Sequence, residues 1–221
     1  MNGALRDELA EKIVDAAVAE AERAGNWHHV SLRGVADNLG IGLVEVGRRF
    51  RDKDAIADAW FDRARHAVLA AADEELVTRP VRERLFVLFC RWFETLAPHR
   101  VVTVQMIQAK LWPFHPHHWA PLAFNLSRTI LWIRDAAGMR AESPRSEIEE
   151  IGLTWLFVAA LAVWARDPTP DQQRTRRFLD QRLRDADCVM RLLFGRRASD
   201  ADAVFAASDP ATQDGVPLPR V

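Results

Sequence analysis

Ser31-Leu-Arg-Gly-Val-Ala-Asp-Asn-Leu-Gly40-Ile-Gly42-Leu-Val-Glu-Val-Gly-Arg-Arg-Phe50-Arg-Asp-Lys53 is the stretch on which the fold turns. Ser31 is placed to cap a short helix whose Leu32, Val35, Ala36 and Leu39 share one face. Gly40 to Gly42 makes a tight bend, and Leu43, Val46 and Phe50 line a second short helix. Arg48, Arg49, Arg51 and Lys53 then put four cations within six residues, against the single acid Asp52. A helix-turn-helix needs these parts: a bend between two helices, apolar inner faces, and positive charge near the helix that enters the major groove. The same spacing also fits a plain three-helix packing unit with a solvated basic end. Residues 1–65 carry ten Lys/Arg against twelve Asp/Glu, so any DNA contact must come from cations gathered on one face.

Outward from this stretch the chain reads as helical almost throughout, with no sustained alternation and no hairpin turn signal. Upstream, Leu9, Ile13, Ala16, Ala17 and Ala21 form a helical stripe that ends near Gly25. Downstream, Asp52 or Asp54 opens a fourth helix through Ile56, Trp60, Ala64, Ala67 and Ala71, predicted to reach about Val77. A fifth starts at Pro80, carries Leu85, Leu88, Phe89, Trp92, Phe93 and Leu96, and stops at Pro98. A sixth covers Val101 to Leu111. Two prolines break Trp112-Pro-Phe-His-Pro-His-His-Trp119. A seventh holds Leu122, Leu126, Ile130 and Ile133 and ends at Gly138. An eighth begins at Ser143-Pro144, with Ile148, Ile151, Trp155, Val158 and Ala162 on one face. Thr169-Pro-Asp-Gln172 reads as a capping box for a ninth, whose stripe is Leu179, Leu183, Ala186, Met190 and Leu193.

The 221 residues are 49% hydrophobic and 28% charged, with a net charge of −1, so no global basic signal points to nucleic acid. Cys90 and Cys188 fall inside apolar helical patterns and are expected to be buried free thiols. No leader is visible, and the run 151–165 is too short to span a bilayer, so a cytoplasmic protein without an integral membrane segment is expected. No nucleophile–base pair, paired carboxylates or phosphate loop marks an enzyme. His115, His117 and His118 lack the spacing of helical zinc ligands and read as a lip of a cavity. No metal and no cofactor is expected.

The run Ile13 to Trp60 resembles the N-terminal domain of TetR-type transcriptional repressors. The matching parts are an Ala-rich first helix ending in Gly, Ser31-Leu-Arg-Gly-Val-Ala, Leu39-Gly-Ile, and Arg-Arg-Phe50-x-x-Lys53-x-x-Ile56. The resemblance implies an all-α protein with a three-helix DNA-binding domain at 1–53. A helical ligand-binding and dimerisation domain of five to six helices would occupy 54–195, and 196–221 is expected to be a disordered tail. It implies a ligand-responsive regulator, a repressor, that binds a DNA operator as a homodimer paired through its last two helices. Ser31, Arg33 and Lys53 would lie near phosphates, and Glu45, Arg48 and Arg49 would complete the reading surface. The chain departs from the family at Gly47, where relatives carry a phosphate-contacting aromatic residue, and at the apolar Leu43 and Val44.

Eight tryptophans and eleven phenylalanines occur without a tyrosine, many of them in the middle of the chain. Such rings either fill a core or line an apolar chamber. As a chamber for an apolar small-molecule or lipid effector, the expected lining is Phe89, Trp92, Phe93, Met106, Trp119, Leu122, Leu126 and Trp155. The C-terminal part also resembles a TetR-fold lipid-binding accessory factor of ubiquinone biosynthesis. The shared words are His118-Trp-Ala-Pro-Leu-Ala, Trp164-x-x-Asp167-x-Thr-Pro-Asp, and Thr175-x-x-Phe178-Leu-Asp-x-Arg182-Leu-x-Asp185. That resemblance implies a lipid-handling alternative with a vestigial DNA head.

Overall fold

The computed structural model describes residues 2–110, 119–139 and 145–194, with side chains placed for 8–110, 128–139 and 146–193. Among these residues every regular element is helical. In chain order they are α1 (Asn2–Ala24), α2 (Leu32–Leu39), α3 (Leu43–Gly47), α4 (Lys53–Ala70), α5 (Glu74–Val77), α6 (Val81–Leu96), α7 (Arg100–Lys110), α8 (Trp119–Ala136), α9 (Arg145–Trp164) and α10 (Gln173–Phe194). Single 3₁₀ turns sit at Trp27–His29, Ala97–His99 and Pro170–Gln172. No helix of the described residues is long and apolar enough to cross a membrane. The tail and the Trp112–His118 loop with its three histidines lie outside the described residues, whose His, Cys, Asp and Glu side chains form no metal-binding group.

The fourth helix is shorter than its periodicity predicts. It stops at Ala70, and Asp73 opens a separate turn by accepting the Leu76 N–H at 2.8 Å. An aspartate whose carboxylate can satisfy the free N–H groups of a new helix competes with continuation of the old one. At the other end, Asp52 caps α4 by accepting the Ala55 N–H at 2.7 Å.

Among the described residues one apolar core runs from α1 to α10. Ile13, Ala17, Trp27, Val35, Val46 and Phe50 close the N-terminal three-helix unit. Ile56, Trp60 and Ala64 of α4 carry the core onward into a body built from α6, α8, α9 and α10. There Phe93, Trp92 and Phe89 of α6 meet Phe157 of α9 at ring-centroid distances of 5.6, 4.8 and 6.0 Å. Trp164 joins Phe93 at 5.6 Å.

The corner between α9 and α10 is held by a buried carboxylate. Asp167 has no solvent exposure, and its two oxygens accept four hydrogen bonds. Oδ1 accepts the Thr169 N–H at 3.0 Å and its hydroxyl at 2.6 Å; Oδ2 accepts the Thr175 N–H at 2.8 Å and its hydroxyl at 2.7 Å. Burial opposes ionisation here, but the hydrogen bonds from Thr169 and Thr175 prevail and hold the acid at about 2. The sequence pointed to a box formed by Thr169 and Gln172. Instead Gln172 stands at positive φ, and Thr169 donates its hydroxyl to Asp167. The word Trp164-x-x-Asp167-x-Thr-Pro-Asp is therefore a corner-forming device: a core tryptophan followed by its capping acid.

Candidate nucleic-acid interface

The outer surface of the N-terminal unit is set by how its two short helices are pinned. Ser31 begins α2 with its hydroxyl accepting the Gly34 N–H at 3.0 Å. Glu20 of α1 accepts the Ser31 N–H at 3.3 Å and the Asn38 amide at 3.1 Å, which fastens α2 to α1. Gly40 ends α2 at φ 64, a left-handed conformation that costs an L residue with a side chain roughly 1–2 kcal/mol. The turn it makes sends α3 across α2, with Val46 fully buried between them and Phe50 packed just beyond.

What α3 shows to solvent is largely apolar. Leu43 is 40% and Val44 67% exposed. At Gly47 an added Cβ would meet nothing within 4 Å, so no packing inside the chain accounts for the glycine. Glu45 receives Arg48 Nη1 on Oε1 at 2.5 Å and Arg49 Nη1 on Oε2 at 2.9 Å. The hydrogen bond from Arg49 is the main reason the Glu45 acid is held below the usual carboxylate range. Arg48 projects outward, whereas the Arg49 guanidinium is largely covered. Arg33 is exposed on the first turn of α2, and Arg51 is exposed beside Asp52.

Lys53 is placed differently from the expectation of a phosphate contact alone. Its ammonium donates to the carbonyls of Trp27 and His28, both at 3.2 Å, and lies 5.6 Å from the centre of the Trp27 ring. Burial lowers its pKa. It ties the start of α4 to the 3₁₀ turn and keeps one of its three donors uncommitted by these bonds.

The N-terminal unit is latched to the body through α7. Gln105 accepts the Trp27 N–H at 2.8 Å and donates to the Gly25 carbonyl at 2.9 Å. His99 meets Glu22 at 2.7 Å, and Trp60 donates its indole N–H to Thr103 at 3.0 Å. Arg63 of α4 holds Glu11 and Asp15 of α1, each at 2.6 Å. None of these partners is visible as a motif, because each pair is 43 to 80 residues apart in sequence.

Of the residues expected to line a chamber, Phe89, Trp92 and Phe93 are buried in the ring-rich core, and Met106 is buried on α7. Trp119, Leu122 and Leu126 belong to α8, but their side chains lie outside those described. Trp155 is 71% exposed on the outer face of α9. A helix that is apolar nearly all round offers two candidate inner faces; Leu153, Phe157, Ala160 and Trp164 take the core, and Ile148, Ile151, Trp155 and Val158 are left outside. A cavity of about 350 Å³ lies between α6, α9 and α10, lined by Leu85, Leu153, Leu156, Leu183 and Met190 among others. Cys90 is buried, and burial pushes its thiol up to about 12. Cys188, expected to be buried, is exposed on α10, because the inner stripe of that helix passes through Leu179 and Leu183.

These features define an all-helical protein with a helix-turn-helix head latched to a larger helical body. No family model matches the chain, and no curated protein matches it. A solved TetR transcriptional regulator from Nitrosomonas europaea ATCC 19718 does: it is 35% identical, with a TM-score of 0.73 over 81% of this chain and 98% of that one. A TetR transcriptional regulator from Rhodococcus sp. RHA1 shares the fold at 17% identity, with a TM-score of 0.59 over 83% of this chain and 98% of that one. The chain belongs to the TetR family of transcriptional regulators. Both of these relatives are regulators, and the likeness of the C-terminal words to a lipid-binding accessory factor finds no support in them.

Proposed function

We propose that this protein is a DNA-binding repressor that works as a homodimer and releases its operator when an apolar effector occupies the body. The head, residues 1–53, is the reading module, and 54–195 is the effector-binding and dimerisation module, with α4 carried across the boundary. The observation that supports this reading best is the surface of the head. Its α3 stands clear of the body with Arg48 outward, and Arg33 and Arg51 are exposed on the same unit.

The dimer is assigned to α9 and α10. Ile148, Ile151, Trp155 and Val158 on α9, with Val189, Leu192 and Leu193 on α10, leave an apolar stripe on the outside of a single chain. A contiguous exposed apolar stripe of this kind is the signature of a protein interface. Pairing two copies there would space two heads for the half-sites of a palindrome. Coupling to the effector follows from the latch. Gln105 and Thr103 join α7 to the Trp27–His29 turn and α4, and His99 of the turn just before α7 meets α1. An effector that repositions α7 or α4 therefore changes the separation of the heads, and it shifts affinity only by its differential binding to the two states. The room for an apolar molecule or lipid is the cavity between α6, α9 and α10, or a space opened beside the ring cluster of Phe89, Trp92 and Phe93.

The test is binding of the full chain to duplex fragments from around its own gene, followed as salt is raised. Affinity should fall steeply with salt, because phosphate contacts release counterions. Arg48→Ala with Arg49→Ala should abolish binding. A folded dimer that shifts no fragment at low salt would refute the proposal.

A further inference from the structure

We propose that α3 reads its operator through the 5-methyl groups of thymine, with Val44 and Leu43 as the reading side chains. This rests on the head being a DNA reader and adds what it reads.

The argument is one of elimination on a five-residue helix. Val46 is buried and faces α2. Gly47 has no side chain, and nothing in the chain fills the space beside it. Glu45 is the helix's only polar side chain, and each of its carboxylate oxygens is already engaged by a guanidinium, from Arg48 and Arg49. Each oxygen keeps a lone pair, so a bond to a cytosine amino group would be added to this pairing and share the carboxylate with two guanidiniums. The same pairing commits Nη1 of each arginine to Glu45, and the Arg49 guanidinium is largely covered, which leaves Arg48 as the outward cation of the pair. What remains outward is the 67% exposed Val44 and the 40% exposed Leu43. Val44, Gly47 and Arg48 lie at i, i+3 and i+4, so the valine shares its face with an empty position and an outward cation.

The major groove offers one apolar group to such a face, the thymine methyl. Gly47 lets the helix backbone approach closely enough for a side chain as short as valine to reach it. The exposed cations Arg33, Arg48 and Arg51 supply the charge complementarity that holds this surface against a polyanion. Water is then expelled from Val44 and the methyl group together, which makes the contact favourable and specific.

The experiment selects duplexes from a random library with the full-length protein, then replaces thymine by deoxyuracil one position at a time and measures binding by fluorescence anisotropy. One or two positions in each half-site should lose about fourfold on removal of the methyl, the value of one buried methyl group. Val44→Ala should erase that difference at its position while binding persists. Val44→Thr, which keeps a methyl, should retain most of it. Val44 is exposed, so neither change should alter the fold, which circular dichroism checks. Selected sites that tolerate deoxyuracil everywhere would overturn the proposal while leaving the head a DNA reader. Failure to select any duplex would remove that underlying reading, and this proposal with it.

Discussion

Replacing Asp167 by alanine removes four hydrogen bonds at once from the corner between α9 and α10. The loss is uneven. Thr169 is half-buried, and water can replace its partner at little cost. Thr175 is 1% exposed, so its N–H and hydroxyl are left in the core without an acceptor. A buried orphaned donor costs about 1–3 kcal/mol. The hydroxyl can turn towards a carbonyl of the preceding helical turn, which recovers part of its share. The net expectation is a loss of about 3 kcal/mol, measured by urea denaturation with tryptophan fluorescence as the probe. Asp167→Ala with Thr175→Val should be less destabilised than Asp167→Ala alone, because valine has no hydroxyl to orphan. The dimer should weaken in step, since the corner sets α10 beside α9. The pH dependence has a definite sign. The carboxylate is held at about 2 in the folded chain, below its ordinary 3.8. Its stabilisation is therefore complete above the ordinary value and is lost as pH falls through that range towards 2. Asp167→Asn should remove that part of the acid sensitivity. A loss below about 1 kcal/mol in the alanine variant would refute the account, because it falls under even one orphaned buried donor.

Three further outcomes are expected. Gln105→Ala strips the partner from the Trp27 N–H and the Gly25 carbonyl. Amide exchange at Trp27 should quicken about two- to tenfold, matching the ~0.5–1.5 kcal/mol of a typical hydrogen bond, and an unchanged rate would exclude Gln105 as the latch. Trp155→Glu puts a charge on the stripe assigned to the dimer; sedimentation should show the dimer dissociation constant raised at least about tenfold, with the monomer still folded. Gly40→Ala meets no atom within 4 Å, so it isolates the backbone term at φ 64. It should cost roughly 1–2 kcal/mol in denaturant unfolding, and a neutral result would mean that the turn had changed conformation.

Much of the head was legible because its signals are local. Ser31 as a cap, Gly40 as the bend and the inward set Val35, Val46 and Phe50 depend on spacing within one or two helical turns. The intrachain partners of Lys53 were not legible: they are carbonyls of residues 27 and 28, brought near by the packing of α4 on the turn. The engagement of Arg48 and Arg49 by Glu45 lay within reach of an i, i+3 and i, i+4 reading of charges. It bears directly on what the helix can recognise. The capping role of Asp167 was hidden behind a more familiar pattern at Thr169 to Gln172.

The sequence by itself determined that the chain is helical, where most helices begin and end, and that a helix-turn-helix lies at its start. Periodicity, caps and breakers act within a few residues and need no knowledge of the rest. Only the tertiary structure decided which face of α9 is inside and which is left exposed, because both of its faces are apolar and the choice depends on what α6 and α10 present. It also decided that Gln105 and His99 join body to head, that Thr103 meets Trp60 of α4, and that Cys188 is outside while Cys90 is buried. These are contacts between groups dozens of residues apart, and the free energy that selects them exists only once the helices have packed.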